Sequence, residues 1–450
     1  MNAVELSEWR SWPPEEGPRT TAIHLDDEPE VRKLARYLDR SRMLRVRELK
    51  KGLRLEATSY VGTIRLGSLS VIIRPKIQEA PLLSLLRYAY GLRNLELFSE
   101  LEQRTSLLAF QDLLIHQLEA ETQELLQRGL HREYVRQEEE LASPRGKIDL
   151  GWWMRHAGSG RVTLRCSHHP RSENHPLNQA LRAGLHLAMR LTEDVGLRTR
   201  LHRLDALLHG CSRVALHPRL LERILRETDR MTAAYRPALS IIQVLLEEEG
   251  TAQEPASKEV RLPGFLFDMN RFFQALLSRF LKENLRGYTL RDEFRLVGMM
   301  AYASDSNPRR RQAPAPRPDF AILQGSRVIS LLDAKYRDLW ETQLPPDMLY
   351  QLVIYALSQG SAGSAAILYP TTTAEAREQV IEVNDVVQGG RRASVVLRPV
   401  HLQTLAKLVN PREGVAAEHE REAFALALAL GRPQATTGGW PFATRHHEEW

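Results

Sequence analysis

Two short apolar runs, residues 320–323 and 328–332, flank a turn signal at Gln324-Gly325-Ser326. Apolar runs on either side of a glycine-bearing turn predict a β-hairpin. The hairpin fixes where several charged residues must go. Asp319, just before the first strand, is expected across from residue 331 or 332, depending on turn length. Asp333 and Lys335 are two apart at the end of the second strand, so their side chains share a face. Arg317-Pro318-Asp319 and Asp333-Ala334-Lys335 are thereby brought side by side.

Two carboxylates and a lysine so placed suit metal-dependent hydrolysis of a phosphodiester. Mg²⁺ takes oxygen ligands and keeps several waters when one or two carboxylates hold it. Asp319 and Asp333 are the candidate carboxylates, and the Ala334 carbonyl is a third candidate ligand. Mn²⁺ suits the same oxygen set. A cation there lowers the pKa of water and stabilises charge on the phosphate. Lys335 is placed to position or deprotonate the water and to offset phosphate charge. Asp-x-Lys alone recurs by chance as surface charge on a hairpin. The preceding Pro-Asp, the hairpin and the apolar strand give it weight.

Downstream, residues 347–357 show helical apolar spacing, with Gln351 and Tyr355 at i and i+4 on one face. Residues 365–370 read as a buried strand ended by Pro370. Upstream, Phe267, Met269, Phe273, Leu276, Leu277, Phe280 and Leu281 repeat at helical spacing. Helix, hairpin, helix and strand in that order predict an α/β layer with a mixed sheet.

Residues 262–370 resemble the PD-(D/E)xK nuclease superfamily, and Gln351-x-x-x-Tyr355 resembles the helix motif of its RecB-like branch. An ordered series extends the likeness: Leu86-Arg87-Tyr88-Ala89-Tyr90-Gly91, Arg145-Gly146-Lys147-Ile148-Asp149, Glu173-Asn174-His175-Pro176-Leu177-Asn178, Asp333-Ala334-Lys335-Tyr336, Leu349-Tyr350-Gln351 and Leu368-Tyr369-Pro370. The series resembles the McrC family, nuclease subunits of McrBC modified-cytosine restriction systems, over most of residues 60–400. The resemblance implies catalytic roles for Asp319, Asp333, Lys335, Gln351 and Tyr355. It also implies DNA as substrate and a separate AAA+ GTPase as partner, with the N-terminal part docking on that motor. Many nucleases of the superfamily carry a metal-linked Glu on the first core helix, where this chain offers Gln274. Two other readings stay open: a catalytically weak adaptor that stimulates the motor, and a stand-alone DNA nuclease.

The fold expected is multidomain α/β. It has a small β-rich module at 1–78, with strands near 53–57, 60–66 and 69–75 after a loose leader at 1–20. A helical middle region follows at 79–250. A nuclease domain at 256–410 has a mixed central sheet flanked by helices, and a tail at 411–450 carries one helix near 422–430. Residues 250–257 read as a linker and residues 410–414 as a breaker.

Composition agrees with this plan. At 450 residues and 43% apolar content the chain supports two or three cores. The net charge of +6 favours a polyanionic partner. Two cysteines, Cys166 and Cys211, form no disulfide framework and suggest a reducing cytoplasm. The N-terminus lacks the apolar core of a signal peptide, and no apolar run reaches the ~18–20 residues of a membrane span.

Other features are weighed against these. Cys166, His168, His169 and His175 match no common zinc spacing and read as structural. Arg309, Arg310, Arg311 and Arg317 lie on a proline-rich loop running into Asp319, and are candidates for phosphate contact. The apolar face of residues 415–430 is expected to pack on the protein itself. His446 and His447 read as solvated. No Gly-x-x-x-x-Gly-Lys-Ser/Thr loop occurs, so nucleotide hydrolysis is expected of a partner.

Overall fold

The computed structural model describes residues 2–13, 23–77, 79–91, 110–156, 162–192, 194–250, 264–303, 306–360, 362–409 and 415–431. The chain divides into two compact units, residues 1–76 with 90–268, and residues 77–89 with 269–450. No helix among the described residues is long and apolar enough to cross a membrane.

The first unit opens with strands β1 (Asn2–Ser7) and β2 (Ser11–Trp12), helix α1 (Pro29–Arg40), and strands β3 (Leu44–Leu49), β4 (Gly52–Ala57), β5 (Tyr60–Leu66) and β6 (Leu69–Arg74). The three strands expected near 53–75 are β4, β5 and β6. The leader is not loose. Val4 and Leu6 alternate with Glu5, a strand pattern, and both are buried where β1 pairs in parallel with β6. Residues 14–22 of that leader lie outside the described residues.

Helix α2 (Glu79–Tyr90) falls in the second unit up to Ala89. The first unit continues through α3 (Phe110–Arg128), β7 (Glu133–Tyr134), β8 (Gln137–Leu141), β9 (Lys147–Ile148), α4 (Leu150–His156), β10 (Leu164–His168) and β11 (Arg171–Ser172). It ends with α5 (Pro176–Leu191), α6 (Val195–Leu207), α7 (Pro218–Glu227), α8 (Arg236–Gly250) and β12 (Gly264–Asp268). The middle region is therefore helical only in part. Five short strands interrupt it, in sheets ordered β8-β10-β9 and β11-β7. They are short and mostly exposed, so they lack the apolar alternation that marks a strand in sequence. The expected linker lies, beyond Gly250, outside the described residues. Gly184 lets α5 approach α8, because a Cβ there would overlap the Ile242 side chain.

Phe267 belongs to a strand and not to the helix that follows. Phe265 and Phe267 alternate along β12, which pairs antiparallel with β5 and completes a sheet ordered β1-β6-β5-β12. The helical period begins only at Met269.

The second unit holds α9 (Met269–Asn284), β13 (Thr289–Asp292), β14 (Phe320–Gln324), β15 (Arg327–Ala334), α10 (Pro346–Leu357), β16 (Gly363–Thr371), β17 (Gln379–Asn384), β18 (Arg391–His401), α11 (Leu402–Leu408) and α12 (Val415–Leu430). Its six strands form one mixed sheet, ordered β13-β14-β15-β16-β18-β17. Strands β15, β16 and β18 run parallel, and β16, the middle of β18 and the second half of β15 are buried. They read as continuous apolar runs because both faces are covered. On one face Leu331, Ala365, Ile367, Val395 and Leu397 pack with Leu352, Tyr355 and Ala356 of α10. The tail helix α12 starts earlier than expected, and Ala425, Leu428 and Ala429 are buried. Phe424 meets Phe280 of α9 edge-on, with ring centroids 5.8 Å apart. Residues 432–450, with His446 and His447, lie outside the described residues, as does the breaker at 410–414.

Candidate active site

The hairpin forms as expected, with Gly325 at φ +61 in a two-residue turn between Gln324 and Arg327. Its register carries a detail that the sequence conceals. A regular ladder from that turn would set Asp319 opposite Leu332 and turn it away from Asp333. A β-bulge leaves Ile329 unpaired, because Leu323 faces Val328 while Ile322 faces Ser330. Beyond it the register shifts by one, Phe320 faces Leu332, and Asp319 follows in line with Asp333. The expected partners at 331 or 332 are thus corrected to 333. Because strand side chains alternate faces, that one-residue shift decides whether the two carboxylates meet.

They meet at the end of β15. Asp333 Oδ2 lies 2.9 Å from Lys335 Nζ, and Asp319 Oδ2 lies 3.8 Å from the same nitrogen. Asp319 Oδ2 accepts from the Ala334 N–H at 2.8 Å, and Asp319 Oδ1 accepts from Gln274 Nε2 at 3.2 Å. The parallel register with β16 fixes the strand end, where the Lys335 N–H donates to the Leu368 carbonyl at 3.0 Å. One residue on, the Tyr336 N–H donates to Asn270 Oδ1 of α9 at 2.9 Å. Helix α9 thus contacts the site through both Asn270 and Gln274.

The electrostatics are those of crowded carboxylates short of water. Asp333 is only 2% exposed, and its Oδ1 is buried with no hydrogen-bond partner among the described residues. A buried unsatisfied oxygen costs free energy, about 1–3 kcal/mol and more when charged. Burial, then repulsion from Asp333, pushes the Asp319 carboxyl up to about 6, against the pull of Lys335 and the Ala334 N–H. For Lys335, burial works against the charge, but Asp333 and Asp319 outweigh it and raise the ammonium above its ordinary value.

Gln351 and Tyr355 adjoin through α10, with Gln351 Nε2 2.6 Å from the Tyr355 hydroxyl oxygen. Tyr355 is 1% exposed. Burial raises its phenol, Gln351 opposes that, and Asp333 and Asp319 raise it further. Asp319, Asp333, Lys335, Gln351 and Tyr355 therefore form one neighbourhood. The backbone of Ala334 is in it through its N–H.

The basic loop behaves differently. Arg309, Arg310 and Arg311 are exposed, on a turn braced by Asn307, whose side chain bonds both the N–H and the carbonyl of Arg311. Arg317 is already engaged in an ion pair with Glu293. Asn270 and the Ile329 bulge are additions that the sequence reading lacks. Asn270 had a signal, since a polar side chain on the buried flank of an apolar helix needs a partner. Two of the residues weighed for zinc have structural places. Cys166 is buried on β10, and His175 caps α5, accepting from the Leu177 N–H.

The family model described as McrBC 5-methylcytosine restriction system component matches residues 55–370. That span is more than half of the chain. The chain belongs to this McrBC family. It is similar to a chain of the refined half-complex from a tetradecameric assembly of Thermococcus gammatolerans McrB AAA+ hexamers with bound McrC. The two share 20% identity and a TM-score of 0.57, covering 94% of this chain and 98% of that one. At that identity the likeness shows the fold. A chain of the cryo-EM structure of the Thermococcus gammatolerans McrBC complex also matches, at 20% identity and a TM-score of 0.45. It covers 63% of this chain and 88% of that one. No curated protein matches.

Proposed function

We propose that this chain is the DNA-cleaving subunit of an McrBC-type restriction system, a Mg²⁺-dependent deoxyribonuclease that works with a separate AAA+ GTPase. The observation that best supports the reading is the buried Asp333 oxygen without a partner among the described residues, beside a second carboxylate and a lysine. The group fits an all-oxygen set for a hard cation, Asp319 and Asp333 with the Ala334 carbonyl. Mg²⁺, or Mn²⁺ in its place, would supply charge neutralisation at the phosphate and activation of water.

The chain's own residues would do the rest. Lys335 holds an ammonium at the carboxylates and can offer it to a phosphate oxygen or a water. The Ala334 N–H holds the Asp319 carboxylate from the backbone and so selects one side-chain rotamer for it. The Gln351–Tyr355 pair stiffens the flank of the site on α10. Arg309, Arg310 and Arg311 are free to meet backbone phosphates of DNA. Partnership with an AAA+ GTPase fits the family, the neighbour solved with McrB hexamers, and a sequence without a phosphate-binding loop.

One observation favours a second reading. Gln274 touches Asp319 where related nucleases carry an acid, so the site has one carboxylate fewer. The chain would then act mainly as an adaptor that stimulates the motor. Asp333→Asn separates the two. A nuclease loses cleavage by about 10²–10³-fold or more while still stimulating the GTPase. Cleavage by the variant at the wild-type rate would refute the site.

A further inference from the structure

We propose a second nucleic-acid site, on the solvent face of the sheet β2-β4-β3 in the first unit, that takes the phosphate backbone of duplex DNA. Three guanidiniums converge there on one carboxylate. Glu56 lies 3.2 Å from Arg45, 4.0 Å from Arg47 and 3.4 Å from Arg54.

The register explains the convergence. Strand β4 pairs antiparallel with β3, setting Arg45 opposite Glu56 and Arg47 opposite Arg54. The alternate positions Leu44, Leu53, Leu55 and Ala57 are buried in the core beneath. The face left to solvent therefore bears Arg45, Arg47, Arg54 and Glu56, and the turn beyond it adds exposed Lys50 and Lys51. One carboxylate can neutralise one guanidinium. Like charges directly opposite on neighbouring strands are destabilising, so Arg47 facing Arg54 costs stability.

Solubility does not call for this arrangement. β3 is an edge strand, and one or two charges of either sign suffice to block edge pairing. Residues 29–57 hold ten Lys and Arg against four Asp and Glu, a net of +6. That equals the formal net charge of the whole chain, so the rest is balanced overall and the surplus is concentrated here. Arg45 and Arg47 on successive same-face positions lie about 6.5 Å apart along the strand. Planar guanidiniums in a row suit phosphate oxygens better than lysines would. Duplex DNA presents about one negative charge per 1.7 Å of axis, so several phosphates can be met at once. No base-reading element accompanies the row among the described residues, so the binding is to the backbone and independent of sequence.

The test is duplex binding by the full-length protein in EDTA, which reads binding without cleavage and so stands apart from the nuclease reading. The probe is a short, unmodified, fluorescein-labelled duplex, titrated between about 50 and 200 mM salt. The triple variant R45Q/R47Q/R54Q should lose roughly tenfold or more in affinity. The slope of log K against log salt should become shallower by about 2–3, near 0.9 for each phosphate no longer neutralised. Glu56→Gln should act in the opposite direction and tighten binding several-fold, an outcome that misfolding cannot imitate. Unchanged affinity and slope in the triple variant overturn the proposal. So does a triple variant that binds duplex normally but no longer stimulates the AAA+ GTPase, which would assign the face to a protein partner.

Discussion

Two charge clusters, one in each unit of the molecule, are opposite in kind. In the second unit Asp319, Asp333 and Lys335 sit at a buried strand end, with one carboxylate oxygen unpartnered among the described residues and the Asp319 carboxyl raised to about 6. In the first unit Arg45, Arg47, Arg54 and Glu56 lie on a solvated sheet face, where water screens what their neighbours do not. Burial makes charge expensive unless a ligand arrives. Exposure makes it cheap and tolerates a surplus. A few ionic groups thus imply a compact cation site in one unit and a broad polyanion surface in the other.

The largest effect expected is on catalysis in the buried cluster. Cleavage should require Mg²⁺ or Mn²⁺ and vanish in EDTA. The donor set has no thiolate or imidazole. Activity that survives EDTA, or that Zn²⁺ alone restores, would move the chemistry to other residues. Asp319→Asn and Asp333→Asn should each be severely impaired, and the double variant little worse than either, since both serve one site.

Next in size is the register device. Deleting Ala321 from β14 sets Phe320 opposite Leu331 and turns Asp319 toward Leu332, away from Asp333, whereas deleting Ile329 itself would leave those pairs unchanged. Both faces of β14 are buried by apolar groups, so the hairpin should survive the change. Cleavage should fall by roughly two orders of magnitude, comparable with loss of a key electrostatic group. An Ala321 deletion variant that is folded by circular dichroism and cuts normally would show that the register of β14 against β15 does not position Asp319.

A third contrast concerns stability in the absence of cations. The folded-state pKa of Asp319 is raised, so its stabilising contribution is present below the unfolded value near 4. It is lost as pH rises through about 6. Above that, the charged carboxylate costs up to about 3 kcal/mol. Asp319→Asn should therefore raise the melting temperature in EDTA at pH 8 and have little effect at pH 4. For wild type, Mn²⁺ affinity should weaken as pH falls through about 6. A variant that melts lower than wild type at pH 8 would contradict the assignment of strain to this carboxylate.

The smallest effect belongs to the exposed cluster. Replacing Arg45, Arg47 and Arg54 by Gln should change stability by no more than about 1 kcal/mol, and relief of the Arg47–Arg54 opposition should offset the missing pairing with Glu56. A large drop in melting temperature would mean that these arginines hold the sheet together.

The sequence was most legible where a single period runs uninterrupted. The hairpin, helix α10 and the body of strand β16 could be read because their apolar runs are long, although β16 does not stop at Pro370 as expected but runs on, paired with β18, to Thr371. Leader strand β1 was missed because six residues with two buried side chains resemble any polar terminus until β6 supplies a partner. Phe267 was misplaced because its spacing from Met269 and Phe273 also fits a helix. The partner strand β5, distant in sequence, decides otherwise. Residue types at the site were legible, but their alignment was not, since a bulge at Ile329 leaves no mark on a run of apolar residues. Arg317 looked available for phosphate until folding brought Glu293 beside it.

The central claim is that the buried oxygen of Asp333 is kept for a divalent cation. Mn²⁺ binding to the full-length protein near pH 8, followed by electron paramagnetic resonance without DNA, tests it directly. Wild type should bind Mn²⁺ in competition with Mg²⁺, Asp333→Asn should lose that binding, and Gln274→Glu should strengthen it. Equal Mn²⁺ binding by wild type and Asp333→Asn would contradict the claim.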